Sequence, residues 1–242
     1  PRAIAVGGGT KPRLSAMADN WVRISTAKQR GIVEYEPSEF TFTALAGTPV
    51  KEIAAALAER GQYLTFDPLL VDAGATIGGT VAAGLGGPGR FRFGGLRDFI
   101  LGVRFVDGGG RLLRLGGKVV KNAAGFDLPK FFVGSLGRFG ALAEVTFKVF
   151  PRAATTRTLR FEIAEDAAKL RLLTEAAGGR WELDALDAAI GGGGVFARIA
   201  GPASALDAIA EELLSRWPGG TLTEAEAIAL WLGVREFHWA HD

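Results

Sequence analysis

Residues 74–84 have the sequence Gly-Ala-Thr-Ile-Gly-Gly-Thr-Val-Ala-Ala-Gly, in which single larger side chains interrupt a run of small ones. This composition is unlike that of a solvated loop, and it suits close packing of the backbone around a ligand. Thr76 is a residue type that caps helix N-termini, so the stretch predicts a short helix over residues 78–84. The segment is therefore a candidate wall of a binding site.

The continuation of this stretch, residues 84–89, has the G-x-G-x-x-G spacing of a dinucleotide-binding fingerprint. In a Rossmann fold that motif follows a β-strand and opens a helix. Here Pro88 and Gly89 stand where the helix should continue, and no strand-forming run precedes the motif. The sequence therefore argues against a Rossmann fold.

A second glycine cluster follows the apolar run at residues 2–6 and consists of Gly7, Gly8, Gly9, Thr10 and Lys11. Consecutive glycines let neighbouring backbone N–H groups point into one concavity, and the missing Cβ atoms let a phosphate approach. The cluster is not a P-loop, because Thr10 rather than glycine precedes Lys11 and Pro12 replaces the Ser or Thr. It predicts an anion site, with a flexible turn as the alternative.

Two further segments are candidate ligand contacts. Residues 134–140, Gly-Ser-Leu-Gly-Arg-Phe-Gly, have a glycine at every third position and form a loop that can wrap a planar group. A cluster of structural turns is the alternative. Residues 118–127, which include Lys121 and Asn122, form a polar patch that is either ligand-facing or an ordinary capped turn.

Local signals in the first 150 residues predict an α+β fold. Thr48-Pro49, as N-cap and first helical residue, followed by apolar residues at helical spacing and Gly61, predicts a helix over residues 50–60. Asp107-Gly108-Gly109-Gly110 between two apolar runs predicts a hairpin, and residues 142–150 predict a strand. These elements do not form a regular βαβ alternation.

The composition changes to Ala, Leu and Glu from about residue 157. The order of elements there is β-α-β-β-α, with the last helix over residues 202–217, and it suggests a ferredoxin-like α+β unit. We therefore predict two domains, residues 1–152 and residues 153–242.

Composition excludes several kinds of site. The 242 residues contain no cysteine, so they provide neither disulfides nor ligands for an iron–sulfur cluster. His238 and His241 are the two histidines, which excludes a His-based metal site elsewhere, and we predict no metal. The net charge is +2 and no Lys/Arg run predicts nucleic-acid binding. No apolar stretch approaches the roughly 18 residues of a membrane-spanning segment.

Five motifs in this order resemble the vanillyl-alcohol-oxidase, or PCMH-type, FAD-binding domain, and in particular the FAD-binding subunits of bacterial glycolate oxidase. The resemblance covers residues 3–152. The motifs are residues 7–11, residues 75–84, residues 97–102 (Arg-Asp-Phe-Ile-Leu-Gly), residues 121–127 (Lys-Asn-Ala-Ala-Gly-Phe-Asp) and residues 134–145 (Gly-Ser-Leu-Gly-Arg-Phe-Gly-Ala-Leu-Ala-Glu-Val).

The resemblance implies that residues 1–152 are a PCMH-type FAD-binding domain and residues 153–242 part of a ferredoxin-like cap. It implies FAD contacts, with the pyrophosphate held mainly by backbone N–H groups, from Gly7, Gly8, Gly9, Thr10, Lys11, Ala75, Thr76, Ile77, Gly78, Gly79, Ala83, Gly84, Leu85, Gly140 and Leu142. Many relatives attach FAD to a histidine or cysteine. This sequence has neither in residues 1–237, so attachment must be non-covalent.

The resemblance further implies one subunit of an enzyme that oxidises glycolate or another 2-hydroxy acid, with the flavin as hydride or electron acceptor. Its partners would be a second flavin subunit and an iron–sulfur subunit, in the cytoplasm, with peripheral association at the inner membrane left open. No catalytic base is assigned; Lys121 and Asn122 are the nearest guesses. The alternatives are a self-sufficient D-lactate or D-2-hydroxyacid dehydrogenase and a scaffolding subunit with a degenerate flavin site.

Overall fold

The computed structural model describes residues 2–14, 20–117, 127–189 and 193–240. The chain divides into two compact units. The first comprises Pro1–Gly86 and Gly95–Pro151, and the second comprises Gly87–Gly94 and Arg152–Asp242. Within the described ranges, no helix is both long enough and apolar enough to cross a membrane.

In its described residues the first unit mixes nine strands with two α-helices, which confirms the α+β fold class. Its strands are β1 (Ala3–Val6), β2 (Val22–Ser25), β3 (Ile32–Glu36), β4 (Thr41–Leu45), β5 (Gln62–Tyr63), β6 (Ile100–Val106), β7 (Leu112–Gly116), β8 (Ala141–Lys148) and β9 (Phe150–Pro151). Its helices are α1 (Val50–Ala58) and α2 (Ile77–Ala83), with 3₁₀ turns at Pro12–Leu14, Pro37–Glu39, Leu96–Asp98 and Leu128–Phe132.

The strands of this unit form one large sheet and two small ones. The large sheet has the order β3-β4-β8-β6-β7, and every neighbouring pair is antiparallel. Strand β1 pairs with β2 in parallel, and β5 pairs with β9 antiparallel. The described residues thus form no Rossmann sheet, as the position of Pro88 within the G-x-G-x-x-G spacing indicated.

The core of the first unit lies between the large sheet and the two helices. Phe42 of β4 stacks on Phe147 of β8, with ring centroids 6.0 Å apart. Ile53 of α1 and Ile77 of α2 are fully buried in this unit. Each such side chain contributes about 1.5–3 kcal/mol through burial, so packing against the sheet, more than helix propensity, holds the seven-residue α2 in place.

The predicted helix over residues 50–60 is confirmed as α1, but its predicted cap is wrong. The Thr48 hydroxyl donates to the carbonyl of Leu45 at 2.7 Å and also contacts the backbone of Gly31. Helix α1 begins after Pro49 with no side-chain cap. Thr48 is fully buried, so its hydroxyl needs hydrogen-bond partners within the fold, and the backbone of Leu45 and Gly31 provides them.

The predicted hairpin is confirmed between β6 and β7. The Asp107 carboxylate accepts hydrogen bonds from the backbone N–H groups of Gly109 and Arg111, at 2.9 and 3.0 Å. Gly110 follows with φ +80°, which glycine adopts without strain. The side chain of Asp107 therefore closes this turn.

The described part of the second unit has four strands and four α-helices. They are α3 (Arg90–Phe93), β10 (Thr155–Phe161), α4 (Asp166–Ala177), β11 (Ala185–Ala188), β12 (Val195–Gly201), α5 (Ala203–Arg216), β13 (Gly219–Thr221) and α6 (Glu224–Glu236), with a 3₁₀ turn at His238–Ala240. The antiparallel sheet has the order β11-β12-β10-β13.

This strand order, with a helix after β10 and another after β12, is that of a ferredoxin-like βαββαβ unit. The prediction of the ferredoxin-like type is confirmed, but the predicted β-α-β-β-α order stopped one strand short. Strand β13 is three residues long and begins with Gly219 and Gly220, which indicated a helix end. A carbon on Gly219 would lie 2.0 Å from the Arg160 carbonyl, so only glycine lets β13 lie against β10 here.

The segment Gly87–Gly94 groups with the second unit although it lies within the sequence of the first. Arg92 of α3 bonds the backbone carbonyl of Glu182, the Glu182 carboxylate at 2.9 Å and the buried Asp184 at 3.2 Å. These contacts hold α3 on the strand region that leads into β11. The predicted split into two continuous domains did not foresee this segment.

Candidate functional site

A cavity of about 450 Å³ opens beside β1 in the first unit. Two sequence segments about seventy residues apart, the loop of residues 7–11 and helix α2 with its cap, converge on it. The cavity is lined by Ile4, Ala5, Val6, Gly7, Gly8, Gly9, Thr10, Lys11, Pro12, Leu14, Arg23, Thr76, Gly79, Ala82, Ala83 and Leu136. Its volume is in the range of small-molecule and cofactor sites.

The loop and the cap of α2 touch so closely that side chains are excluded between them. A Cβ atom on Gly7 would lie 2.2 Å from Oγ1 of Thr76, and one on Gly8 would lie 2.0 Å from the carbonyl oxygen of Gly74. Gly9 faces open space but has φ +65°, which favours glycine. The three glycines thus let the loop follow the surface of the α2 segment.

The backbone N–H groups of this loop are unpaired within the described ranges. Among the described residues, none accepts a hydrogen bond from the N–H of Gly7, Gly8, Gly9 or Thr10. The N–H of Thr76, on the opposite wall, is also unpartnered there. Successive unpaired N–H groups in a concavity form an anion-binding nest.

The N–H groups of the second segment, in contrast, are already used. The N–H of Ala75 donates to the carbonyl of Leu70 at 2.9 Å, and those of Ile77 and Gly78 donate to Thr48 and Ala46 at 2.9 and 2.8 Å. The N–H of Gly79 donates to Oγ1 of Thr76 at 3.3 Å, so Thr76 caps α2 as its residue type predicts. Except at Thr76, this segment contributes surface to the cavity, not free donors.

Several residues of the predicted site lie away from the cavity. Ala75, Ile77 and Gly78 are buried, and a Cβ atom on Gly78 would lie 2.7 Å from Cβ of Ala46. Their predicted contact with a cofactor stays a prediction to which the geometry adds no support. Lys121 and Asn122 lie outside the described residues.

Of the remaining predicted residues, Gly84 and Gly140 have backbone positions that favour glycine, and Ala83 lines the cavity. Gly84 ends α2 in the left-handed conformation, with φ 68°. A Cβ atom on Gly140 would lie 2.4 Å from the Val106 carbonyl, Leu142 is buried, and Leu85 is part-exposed without lining the cavity. Of this group, Ala83 alone lines the cavity in the described structure.

The glycine-rich segment at residues 134–140 hydrogen-bonds the C-terminal end of α2. The N–H groups of Gly134 and Leu136 donate to the carbonyls of Val81 and Ala82, at 3.0 and 2.9 Å. These carbonyls belong to the last turn of α2, where a helix leaves acceptors unpaired. Leu136 also lines the cavity, a placement that the spacing of glycines at residues 134–140 did not single out.

The charge of the cavity wall is positive. Among the described residues that line it, the ionisable side chains are Lys11 and Arg23, and none is a carboxylate. Arg23, on β2, was missed by the sequence analysis because the pairing of β2 with β1 has no local signal. Among the described residues, no group of three or more His, Cys, Asp or Glu side chains could hold a metal.

These features fit the diphosphate of a dinucleotide cofactor. The loop offers a run of N–H donors, its glycines leave room for phosphate oxygens, and the wall adds cations. The apolar remainder, with Ile4, Leu14 and Leu136, suits an uncharged part of the ligand.

Comparison with known proteins agrees with this chemistry. Residues 2–116 match the model of a family described as FAD binding domain. The glycolate oxidase subunit GlcE of Escherichia coli is 49% identical over 135 residues, which cover 56% of this chain and 39% of GlcE. The D-lactate dehydrogenase of Archaeoglobus fulgidus is 30% identical over 164 residues, covering 66% of this chain and 36% of that protein.

The fold is similar to that of alkyldihydroxyacetonephosphate synthase, with a TM-score of 0.74, 17% identity, and coverage of 97% of this chain and 50% of that one. The chain spans about two fifths or less of the length of the curated relatives just named. The matched family and the similar fold agree with the resemblance that the five sequence motifs indicated. Residues 2–116, slightly less than half of the chain, therefore match an FAD-binding domain, which agrees with the PCMH-type resemblance of the motifs.

Proposed function

We propose that this chain is the FAD-binding subunit of an oxidase for glycolate or a related 2-hydroxy acid. The observation that carries the proposal is the open N–H loop of residues 7–10, facing a cationic cavity inside a matched FAD-binding domain. The substrate class rests on the relatives, which are named as glycolate oxidase subunits and as D-lactate and D-2-hydroxyglutarate dehydrogenases.

In this proposal the chain binds and orients the cofactor. The N–H groups of residues 7–10 hold the diphosphate, and Thr76 and Gly79 form the facing wall. FAD, when bound, supplies the acceptor for the hydride or electrons of the substrate. Attachment is non-covalent, because residues 1–237 contain no histidine or cysteine to which the flavin could be linked.

Partner subunits complete the proposed enzyme. The 242 residues hold no cysteine and therefore no iron–sulfur cluster, so electrons leave through another component. Two relatives are named as subunits of glycolate oxidase, GlcE of Escherichia coli and GlcD of Bacillus subtilis, which is 33% identical over 128 residues. We propose a second flavin subunit and an iron–sulfur subunit as partners, in the cytoplasm or at the inner membrane through the complex.

A second candidate is a D-lactate or other D-2-hydroxyacid dehydrogenase that works without partner subunits. It is favoured by D-lactate dehydrogenases that match a larger share of this chain, 66–68%, at 28–30% identity. The isolated subunit would then turn over D-lactate with an artificial acceptor. The proposed subunit would require its partners for the same rate.

The experiment is purification of the full-length protein with its native partners, followed by flavin quantification and a substrate panel. Bound FAD and oxidation of glycolate by the complex, but not by the separated subunit, are expected. Full turnover of D-lactate by the separated subunit would favour the second candidate. A colourless protein that binds no added FAD would overturn both and leave a scaffolding role.

A further inference from the structure

Arg23 lines the cavity from a strand that carries no recognised flavin motif. It lies in β2, where its Cα is paired with that of Ile4 in the neighbouring parallel strand β1. Strand β1 leads directly into the loop of residues 7–11. The β1–β2 pairing therefore fixes the position of Arg23 relative to the start of the anion-binding loop.

The guanidinium of Arg23 has no counter-charge in the described structure. No described acidic side chain forms an ion pair or hydrogen bond with it, whereas Arg30, Arg92 and Arg104 each pair with a carboxylate. The other cation of the wall, Lys11, has its Nζ 3.3 Å from Oγ1 of Thr10. Two cations around a cavity whose described lining has no carboxylate raise its potential and favour an anionic ligand.

We propose that Arg23 is a further cofactor-binding residue, whose guanidinium neutralises part of the charge of the FAD diphosphate. This inference rests on the proposed function and deepens it. The diphosphate is doubly negative, and backbone N–H groups offer it only partial charges. Lys11 and Arg23 together supply the matching positive charge, and arginine can in addition bind two phosphate oxygens at once.

The size of the effect is limited by solvent, because Arg23 is exposed. Charge-assisted contacts at exposed positions are weaker than buried ones and are screened by salt. We expect Arg23→Gln to weaken FAD binding about three- to tenfold at low salt, and the difference to shrink at high salt. Arg23→Lys, which keeps the charge, should recover most of the loss.

The test is titration of the flavin-free full-length protein with FAD, ADP and riboflavin. Calorimetry measures all three affinities, and flavin fluorescence measures those of FAD and riboflavin. Arg171→Gln is the matched control, because Arg171 is exposed on α4 and does not line the cavity. Arg23→Gln should weaken FAD and ADP by the same factor and leave riboflavin, which has no phosphate, unchanged. Arg171→Gln should leave the affinity for FAD unchanged.

Two results would overturn the inference. One is an FAD affinity of Arg23→Gln equal to that of the parent, and the other is an equal loss of riboflavin binding, which would indicate a structural effect. Both are distinguishable from failure of the proposed function, in which the parent protein itself would bind no FAD.

Discussion

The two glycine-rich segments that meet at the cavity use glycine for different purposes. In the loop of residues 7–10, glycine leaves N–H groups open to the cavity. In residues 75–79, glycine lets α2 approach the sheet, and the N–H groups of Ala75, Ile77 and Gly78 bond carbonyls of the fold. The first segment leaves donors that a ligand could use, and the second holds one wall of the cavity in place.

The difference between them lies in tertiary contacts, not in composition. Thr48 and Ala46, which accept the N–H groups of Ile77 and Gly78, lie about thirty residues earlier in the chain. The loop of residues 7–10 faces no such acceptor in the part of the chain that the structure describes. A glycine run therefore becomes an anion site only where the rest of the fold leaves its N–H groups unpaired.

The largest expected effect is on stability, at Gly78. A Cβ atom there would lie 2.7 Å from Cβ of Ala46 and 2.8 Å from its carbonyl oxygen, so Gly78→Val must push α2 off β4. We expect a loss of about 3 kcal/mol in the free energy of unfolding, measured by chemical denaturation. The matched control, Gly79→Ala, meets only Oγ1 of Thr76 at 3.1 Å and should stay within about 1 kcal/mol of the parent. Equal losses in both variants would contradict the packing role of Gly78.

The next effect is on FAD affinity, at Gly8. A Cβ atom on Gly8 would lie 2.0 Å from the Gly74 carbonyl, so Gly8→Ala must shift the loop and its N–H groups. We expect FAD to bind about tenfold more weakly, measured by fluorescence titration, with α2 intact. Gly108→Ala, in the hairpin loop where a Cβ meets nothing within 4 Å, is the control. Unaltered affinity in Gly8→Ala would remove the loop from the diphosphate site.

A smaller effect is expected at the cap of α2. Thr76→Ala removes the acceptor for the N–H of Gly79 and should cost about 1 kcal/mol of stability. Thr76→Ser keeps that oxygen and should restore most of the loss. If thermal unfolding shows both variants equally destabilised, the Thr76 methyl group, not its cap hydrogen bond, is the stabilising feature.

The smallest effect is a pH dependence far from the cavity, at Asp107. Hydrogen bonds from the backbone N–H and the side chain of Arg111, and from the N–H of Gly109, hold the pKa of Asp107 below its usual value. Because the folded-state pKa is lowered, the stabilisation is present above the unfolded pKa of about 4 and is lost as the pH falls below it.

Thermal unfolding from pH 7 down to pH 2 measures this contribution. Asp107→Asn should remove it, so the difference in melting temperature between parent and variant should narrow in acid. A difference that stays constant over this pH range would contradict the prediction. FAD affinity should not change in this variant, because Asp107 does not line the cavity.

Local signals predicted the elements that depend on neighbouring residues. Helix α1, the hairpin around Asp107 and the cap at Thr76 all follow from residue types a few positions apart. The sequence also predicted an anion site at Gly7–Gly9, with a flexible turn as the alternative, and the unpaired N–H groups of this loop among the described residues support that prediction.

Features that depend on distant partners escaped sequence analysis. The grouping of Gly87–Gly94 with the second unit depends on Arg92 meeting residues about ninety positions away. The pairing of β1 with β2 brings Arg23 to the cavity, and acceptors elsewhere in the fold occupy the N–H groups of Ala75, Ile77 and Gly78. Nothing in the local pattern distinguishes an occupied N–H group from an open one.

The central claim is that the open loop, and not the N-terminus of α2, binds the FAD diphosphate. Backbone amide NMR of the flavin-free protein, recorded with and without FAD, tests it most directly. The account predicts large shifts and slowed hydrogen exchange at Gly7, Gly8, Gly9 and Thr10, with Ile77 and Gly78 nearly unchanged. Large changes at Ile77 and Gly78, with the amides of residues 7–10 unaffected, would contradict it.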